Sequence, residues 1–133
     1  MKEQWTSVAK TCLDSAESGT MTFPQIVATL TQEGFDGYLI DFRRGSPTYY
    51  RPDGDCVELP THKVGVAVAA TFDAARLQAA IREAQQLVPG YTYRGFCEKA
   101  ALAGCAAYLV SFSGRRVLYF GRTGETHVEH FPS

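Results

Sequence analysis

Apolar residues recur along the chain with two different periods. Over residues 3–18 they are spaced three and four apart, which predicts an amphipathic helix. The same spacing predicts a helix over 73–87 and a helix at the start of each of two longer segments. After those two helices, apolar and polar residues alternate, which predicts half-buried strands. The pattern therefore predicts an α+β fold in which antiparallel sheet packs against helices.

The two longer segments are similar to each other at an offset of 70 residues, and we interpret this as an internal duplication. Seven identities lie on that offset: Thr22/Thr92, Gly34/Gly104, Tyr38/Tyr108, Leu39/Leu109, Phe42/Phe112, Tyr49/Tyr119 and Gly54/Gly124. Beyond the last pair, the alignment is predicted to slip by one residue, so that Val57-Glu58 corresponds to Val128-Glu129. We expect Gly34 and Gly104 to be equivalent helix stops.

Each unit is predicted to hold one helix followed by a three-stranded antiparallel meander, an α-β-β-β arrangement. Thr22 and Gln25 have the spacing of a capping box at the start of the first helix. Gly34 suits the end of that helix. Asp53-Gly54 is a strong hairpin signal, and Thr123-Gly124 is its counterpart in the second unit.

The segment between the units, residues 62–88, predicts an extra strand and then a helix. Val64, Val66 and Val68 alternate with other residues, and Asp73 or Thr71 can cap the helix. We expect a single domain over 1–133 with four parts: an N-terminal helix at 3–18, a first unit at 22–60, a linking strand and helix at 62–88, and a second unit at 92–132.

Composition narrows the class of protein. Apolar residues make up 45% of the chain and charged residues 20%, which is typical of a folded globular domain. Thirteen basic and fourteen acidic residues leave a net charge of −1, so nucleic acid and anionic membranes are not expected partners. With no apolar run near the ~20 residues of a membrane span and no signal-peptide pattern, we expect a cytoplasmic protein. The four cysteines lack a CxxC pair and are expected to be free and mostly buried.

A set of short motifs extends over nearly the whole chain. In order they are Thr22-Phe23-Pro24-Gln25, Tyr49-Tyr50 with Gly54, Val57-Glu58, Phe72-Asp73-Ala74, Tyr119-Phe120 with Gly124-Glu125, and Val128-Glu129. In this order the chain resembles the YbcV-like family of small bacterial proteins, which are loosely labelled phage envelope proteins. The resemblance implies a bacterial or prophage-associated protein. It implies no catalytic residue and no cofactor.

Histidine and carboxylate residues near the C-terminus are the first candidates for chemistry. Strand alternation puts His127 and Glu129 on one face and His130 on the other, so one metal ion cannot easily bind all three. His62 is the other histidine, distant in sequence. We therefore predict no metal site, no cofactor and no catalytic set.

Three repeat-matched groups are candidate ligand-binding residues. Tyr49 and Tyr119 occupy equivalent strand positions, which indicates either cross-strand packing or an aromatic groove between the units. Six of the nine arginines lie at the two hairpins, Arg51 and Arg122 among them, which indicates either soluble turns or an anion site. Glu58 and Glu129 are either exposed strand residues or an acid–base pair.

We expect a non-enzymatic binding or interaction module of unknown function. Its partner would be a protein or a small anionic ligand that binds the matched hairpins, and a homodimer is possible. The alternative is a small-molecule enzyme with its site between the two units, built from the tyrosines, Glu58 and Glu129. Exposed hairpin arginines should change stability by no more than about 0.5 kcal/mol when replaced by alanine.

Overall fold

A computed structural model describes residues 1–60 and 63–132. The elements, in chain order, are α1 (Lys2–Ser18), α2 (Phe23–Gln32), β1 (Gly37–Asp41), β2 (Ser46–Tyr50), β3 (Cys56–Glu58), α3 (Ala74–Gln86), α4 (Tyr93–Leu102), β4 (Cys105–Ser111), β5 (Arg116–Gly121) and β6 (Thr126–His130). The predicted α+β class is confirmed. The predicted N-terminal helix is α1, and the predicted linking helix is α3.

The strands form one antiparallel sheet with the order β3-β2-β1-β4-β5-β6. Each meander is continuous, and the two meet where β1 pairs with β4 at the centre of the sheet. Leu39 of β1 lies opposite Leu109 of β4, two residues that are 70 apart in sequence. The two units therefore lie side by side in antiparallel directions and share a single core.

Strand register follows the offset of 70 through the third strand of each unit. Thr48 pairs with Glu58, and Leu118 pairs with Val128 at the same offset. The predicted one-residue slip is therefore wrong, since Glu58 corresponds to Val128 and not to Glu129. Side chains alternate between the faces of a strand, so a one-residue shift moves a side chain to the opposite face. The pairing across each hairpin keeps Val57 on the buried face.

Local capping signals account for the helix boundaries. The Thr22 side chain accepts a hydrogen bond from the Gln25 backbone N–H, and Gln25 Oε1 accepts one from the Thr22 N–H at 2.8 Å. Asp73 caps α3 in the same way through the Arg76 N–H. After α4, Gly104 has φ +93, and a Cβ there would collide with a backbone carbonyl oxygen of the preceding loop. Glycine at this position is required by conformation and by close approach.

The core lies between the helices and one face of the sheet. Inward-facing residues of the central strands are buried, including Tyr38, Ile40, Tyr108 and Val110. The opposite face carries an apolar row that is half-buried or exposed and crosses four strands: Leu39, Leu109, Leu118 and Val128. The sheet is thus covered by helices on one side only, as antiparallel sheets commonly are.

The strand predicted around Val64–Val68 is not present, because residues 63–73 contain no strand in the structure. Ala69 N–H donates to the Ala101 carbonyl at 3.0 Å, at the end of α4. Val68 is buried against Ala101 and Ala106. The alternating valines therefore pack against a helix end and a neighbouring strand, and the backbone bonds to α4 replace a ladder. Residues 61 and 62, with His62, lie outside the described residues.

The first helix is amphipathic, as predicted. Its buried residues are Ala9, Cys12 and Leu13, which face the sheet and α2. In the described part of the chain, no helix is long and apolar enough to cross a membrane.

Candidate functional site

A cavity of about 680 Å³ lies between the inner face of the sheet and the helices. Its walls come from the second half of α1, the start of α2, the central strands, the end of α3 with the loop after it, the start of α4, and β6. Pockets that bind small ligands are typically about 300–1,000 Å³, so this one has a suitable size. Leu87 lies among the lining residues; it is 57% exposed and has φ +48.

Four tyrosines from adjacent strands form the floor of this cavity. Tyr38 pairs across strands with Tyr49, and their ring centroids are 5.3 Å apart. Tyr108 pairs in the same way with Tyr119 at 5.4 Å, and Tyr38 meets Tyr108 edge-on at 6.3 Å. Both alternatives drawn from the sequence hold in part, because the rings pack as cross-strand pairs while the same residues line a cavity between the units.

The phenol hydroxyl groups differ in their hydrogen bonding. The Tyr108 hydroxyl lies 2.8 Å from that of Tyr93, at the start of α4. Tyr38, Tyr49 and Tyr119 are only 6%, 3% and 6% exposed, and their hydroxyls have no partner among the described residues. None of these oxygens is sealed from solvent without a partner. Three nearly buried phenols therefore offer free hydrogen-bonding capacity to the cavity.

Burial keeps these phenols protonated. Desolvation raises the pKa of Tyr38, Tyr49 and Tyr119 well above the ordinary value of 10.0, and neighbouring groups raise it further. Desolvation likewise raises the pKa of Tyr93 and Tyr108. At neutral pH the phenols are therefore hydrogen-bond donors and acceptors without charge, and none is a phenolate base.

The four cysteines are free, and three are buried. Burial raises the pKa of Cys97 to about 12 and that of Cys105 to about 11, and it also raises the pKa of Cys12, which lines the cavity. The thiolate is the reactive form of cysteine, so these buried thiols are poor nucleophiles.

Two glutamates border the cavity, and only one was singled out from the sequence. Glu129 of β6 lies on the inner side, where its Oε2 is 2.6 Å from His127 Nε2. Glu17, near the end of α1, forms another part of the wall. Glu58 lies on the opposite face of the sheet and bridges to Arg44 at 2.9 Å. The structure therefore separates Glu58 and Glu129, the pair on which the predicted acid–base site depended.

The two hairpin arginines lie away from the cavity and make structural contacts. The Arg51 guanidinium lies 3.7 Å above the Trp5 ring and donates to the Glu33 carbonyl at 2.8 Å. Arg122 donates to the Val68 carbonyl at 3.2 Å. The expectation that Arg51 is a freely exposed turn residue is therefore wrong. The reason is that the hairpin folds back over α1 and the end of α2.

Sequence reasoning missed Glu17, Tyr91 and Tyr93 as cavity residues. Tyr93 aligns with Phe23 at the offset of 70, so its position was visible but its hydroxyl contact was not. Across residues 1–60 and 63–132, no cluster of three potential metal ligands is found.

Comparison with known proteins assigns a family. A family model described as "Protein of unknown function (DUF1398)" matches residues 14–129. The chain belongs to this family. The DUF1398 match begins inside α1 and ends within β6, so it includes all four floor tyrosines and both cavity glutamates. Among curated proteins, none matches the chain.

Proposed function

We propose that this DUF1398 protein is a non-enzymatic binding module that holds one small, largely apolar molecule in the tyrosine-lined cavity. The observation that carries the proposal is the set of three nearly buried hydroxyls, on Tyr38, Tyr49 and Tyr119, that face a cavity of about 680 Å³ without a protein partner. Buried polar groups in folded proteins are almost always hydrogen-bonded. A ligand with a polar atom supplies that partner, and its apolar body covers the surrounding rings.

The protonation states favour binding over catalysis. A general base or nucleophile needs a pKa near the working pH, or a lowered one. Burial moves the pKa of the cavity phenols and of Cys12 and Cys97 in the opposite direction. These groups are suited to orienting a bound molecule, and they are poorly suited to attacking it.

One observation favours the alternative, a small-molecule enzyme with its site between the units. His127 and Glu129 form a pair at 2.6 Å, and Glu129 borders the cavity. A histidine held by a carboxylate is a common general base. The enzyme hypothesis therefore depends on His127 and Glu129, and no longer on Glu58.

The experiment uses 2-(1-naphthyl)ethanol, a neutral probe with a large apolar body and one hydroxyl group. We expect calorimetry to show one site per chain. In Ala84→Phe a bulky ring fills the cavity from α3, and binding should weaken at least tenfold. Ala28→Phe is the matched control, because Ala28 is exposed on α2 and does not line the cavity. Equal binding by the wild type and both variants would contradict the proposed site.

The enzyme alternative has its own readout. Mass spectrometry of a small-molecule mixture after incubation would reveal any converted compound. Conversion that is lost in His127→Gln and in Glu129→Gln, but retained in Glu58→Gln, would replace the binding module by the enzyme.

The remaining expectations are proposals with sequence support. The motif order supports a YbcV-like, bacterial and prophage-associated protein, and the absence of a signal-peptide pattern supports a cytoplasmic location. The constant offset of 70 supports an origin by duplication. Anion binding at Arg51 and Arg122, and a homodimer, stay predictions.

A further inference from the structure

The charge of the cavity wall is one-sided. Glu17 and Glu129 contribute carboxylates from two different elements, α1 and β6. The described residues that line the cavity include no lysine and no arginine, and His130 is the only histidine among them. A pocket built in this way has a negative electrostatic potential, because low-dielectric walls concentrate the field of nearby charges.

The effect of these carboxylates is visible on the floor of the cavity. Burial is the main cause that raises the pKa of Tyr49, and the negative charge of Glu17 adds to it. Burial also dominates for Tyr119, where the charge of Glu129 adds to the shift. A field that disfavours a phenolate at these positions favours a positive charge at the same positions.

The tyrosines provide a suitable surface for such a charge. Phenol oxygens accept hydrogen bonds from an ammonium group, and aromatic rings attract cations through their electron-rich faces. The unpartnered hydroxyls of Tyr38, Tyr49 and Tyr119 therefore serve a cationic ligand as acceptors. An anionic ligand would gain the same hydroxyls as donors, but it would be repelled by both glutamates.

We infer that the ligand of the cavity is an organic cation, with an apolar body against the tyrosine rings and a protonated amine or quaternary ammonium group attracted by Glu17 and Glu129. The inference rests on the proposed function, since it names the chemical class that the cavity binds. It differs from the sequence-based prediction in the sign of the ligand charge and in the place of the site.

The pairing of Glu129 with His127 defines how strongly each carboxylate contributes. A neutral His127 donates its N–H to Glu129 and leaves the negative charge in place. A protonated His127 would cancel that charge. The two glutamates are therefore tested separately.

The test compares three probes that share one naphthyl body: 2-(1-naphthyl)ethylammonium, 2-(1-naphthyl)ethanol and 1-naphthylacetate. Calorimetry at pH 7 should give the ammonium probe an affinity roughly tenfold above the alcohol, and the carboxylate probe the weakest binding. Glu17→Gln and Glu129→Gln should each reduce the ammonium-to-alcohol ratio several-fold while leaving alcohol binding in place. Glu58→Gln is the matched control, since this carboxylate is 44% exposed on the other face of the sheet.

Each outcome decides a different point. If the alcohol binds and the ammonium probe is no tighter, the cation inference is overturned and the proposed binding function stands. If 1-naphthylacetate binds best, the inference is overturned in favour of an anionic ligand. A ratio that falls equally in Glu58→Gln would show a general surface-charge effect and would also overturn it. If none of the three probes binds, the binding function and the inference fail together.

Discussion

Replacing Arg51 with alanine is the sharpest test of how the structure differs from a reading of the hairpin as exposed. The guanidinium lies 3.7 Å above the Trp5 ring, which contributes roughly 0.5–1 kcal/mol for a pair near the surface. Its hydrogen bond to the Glu33 carbonyl comes from a charged donor and contributes about 1.5 kcal/mol. Arg51→Ala should therefore lower the free energy of unfolding by about 2 kcal/mol.

Urea unfolding followed by fluorescence measures this loss directly, because Trp5 is the single tryptophan and reports on its own contact. With a slope of about 2 kcal/mol per M, the midpoint should fall by about 1 M. Arg51→Lys keeps the charge but not the planar group, so it should lie in between. Arg43→Ala is the control: Arg43 is exposed, and only its backbone N–H makes a hydrogen bond, so it should cost less than about 0.5 kcal/mol. A loss in Arg51→Ala as small as in the control would refute the reasoning.

Three further predictions concern stability. Gly104→Ala should cost more than about 3 kcal/mol by urea unfolding, since a Cβ there meets backbone; Gly124→Ala, with φ +82 and open space, should cost only about 1 kcal/mol, and equal losses would show that the close approach is unimportant. Asp73→Ala should cost about 1 kcal/mol through the lost cap of α3, and Asp73→Asn should restore most of it. Burial raises the pKa of Cys97 to about 12 and of Cys105 to about 11 from 9.0, so the unfolded chain loses these protons first; the free energy of unfolding should fall by about 2–3 kcal/mol between pH 8 and pH 10, and a flat profile would contradict the burial of the thiols.

Local signals in the sequence were sufficient for the elements of this fold. A capping box such as Thr22 with Gln25 depends on atoms within one turn, so residue types predict it directly. Strand faces depend only on alternation, and Tyr38 and Tyr108 are buried as their positions indicate. The offset of 70 likewise anticipated that both units have the same order of elements, because each unit repeats its own local pattern.

Tertiary structure alone decided where the side chains with chemistry meet. Hairpin register puts Glu58 and Glu129 on opposite faces, because a difference of one residue in a strand reverses the direction of a side chain. The valine alternation near Val68 was correct as a pattern and wrong as a strand, because the backbone partner is a helix end distant in sequence.

The cavity is the clearest case of a feature that only folding creates. Its hydroxyls come from β1, β2 and β5, and its carboxylates come from α1 and β6, so no single segment carries its signature. The sequence by itself determined which residues form helices and strands and which faces are apolar. The packing of four helices on one side of a six-stranded sheet decided that Tyr38, Tyr49 and Tyr119 border open space with Glu17 and Glu129. Side chains from five elements meet there only when the long-range contacts form.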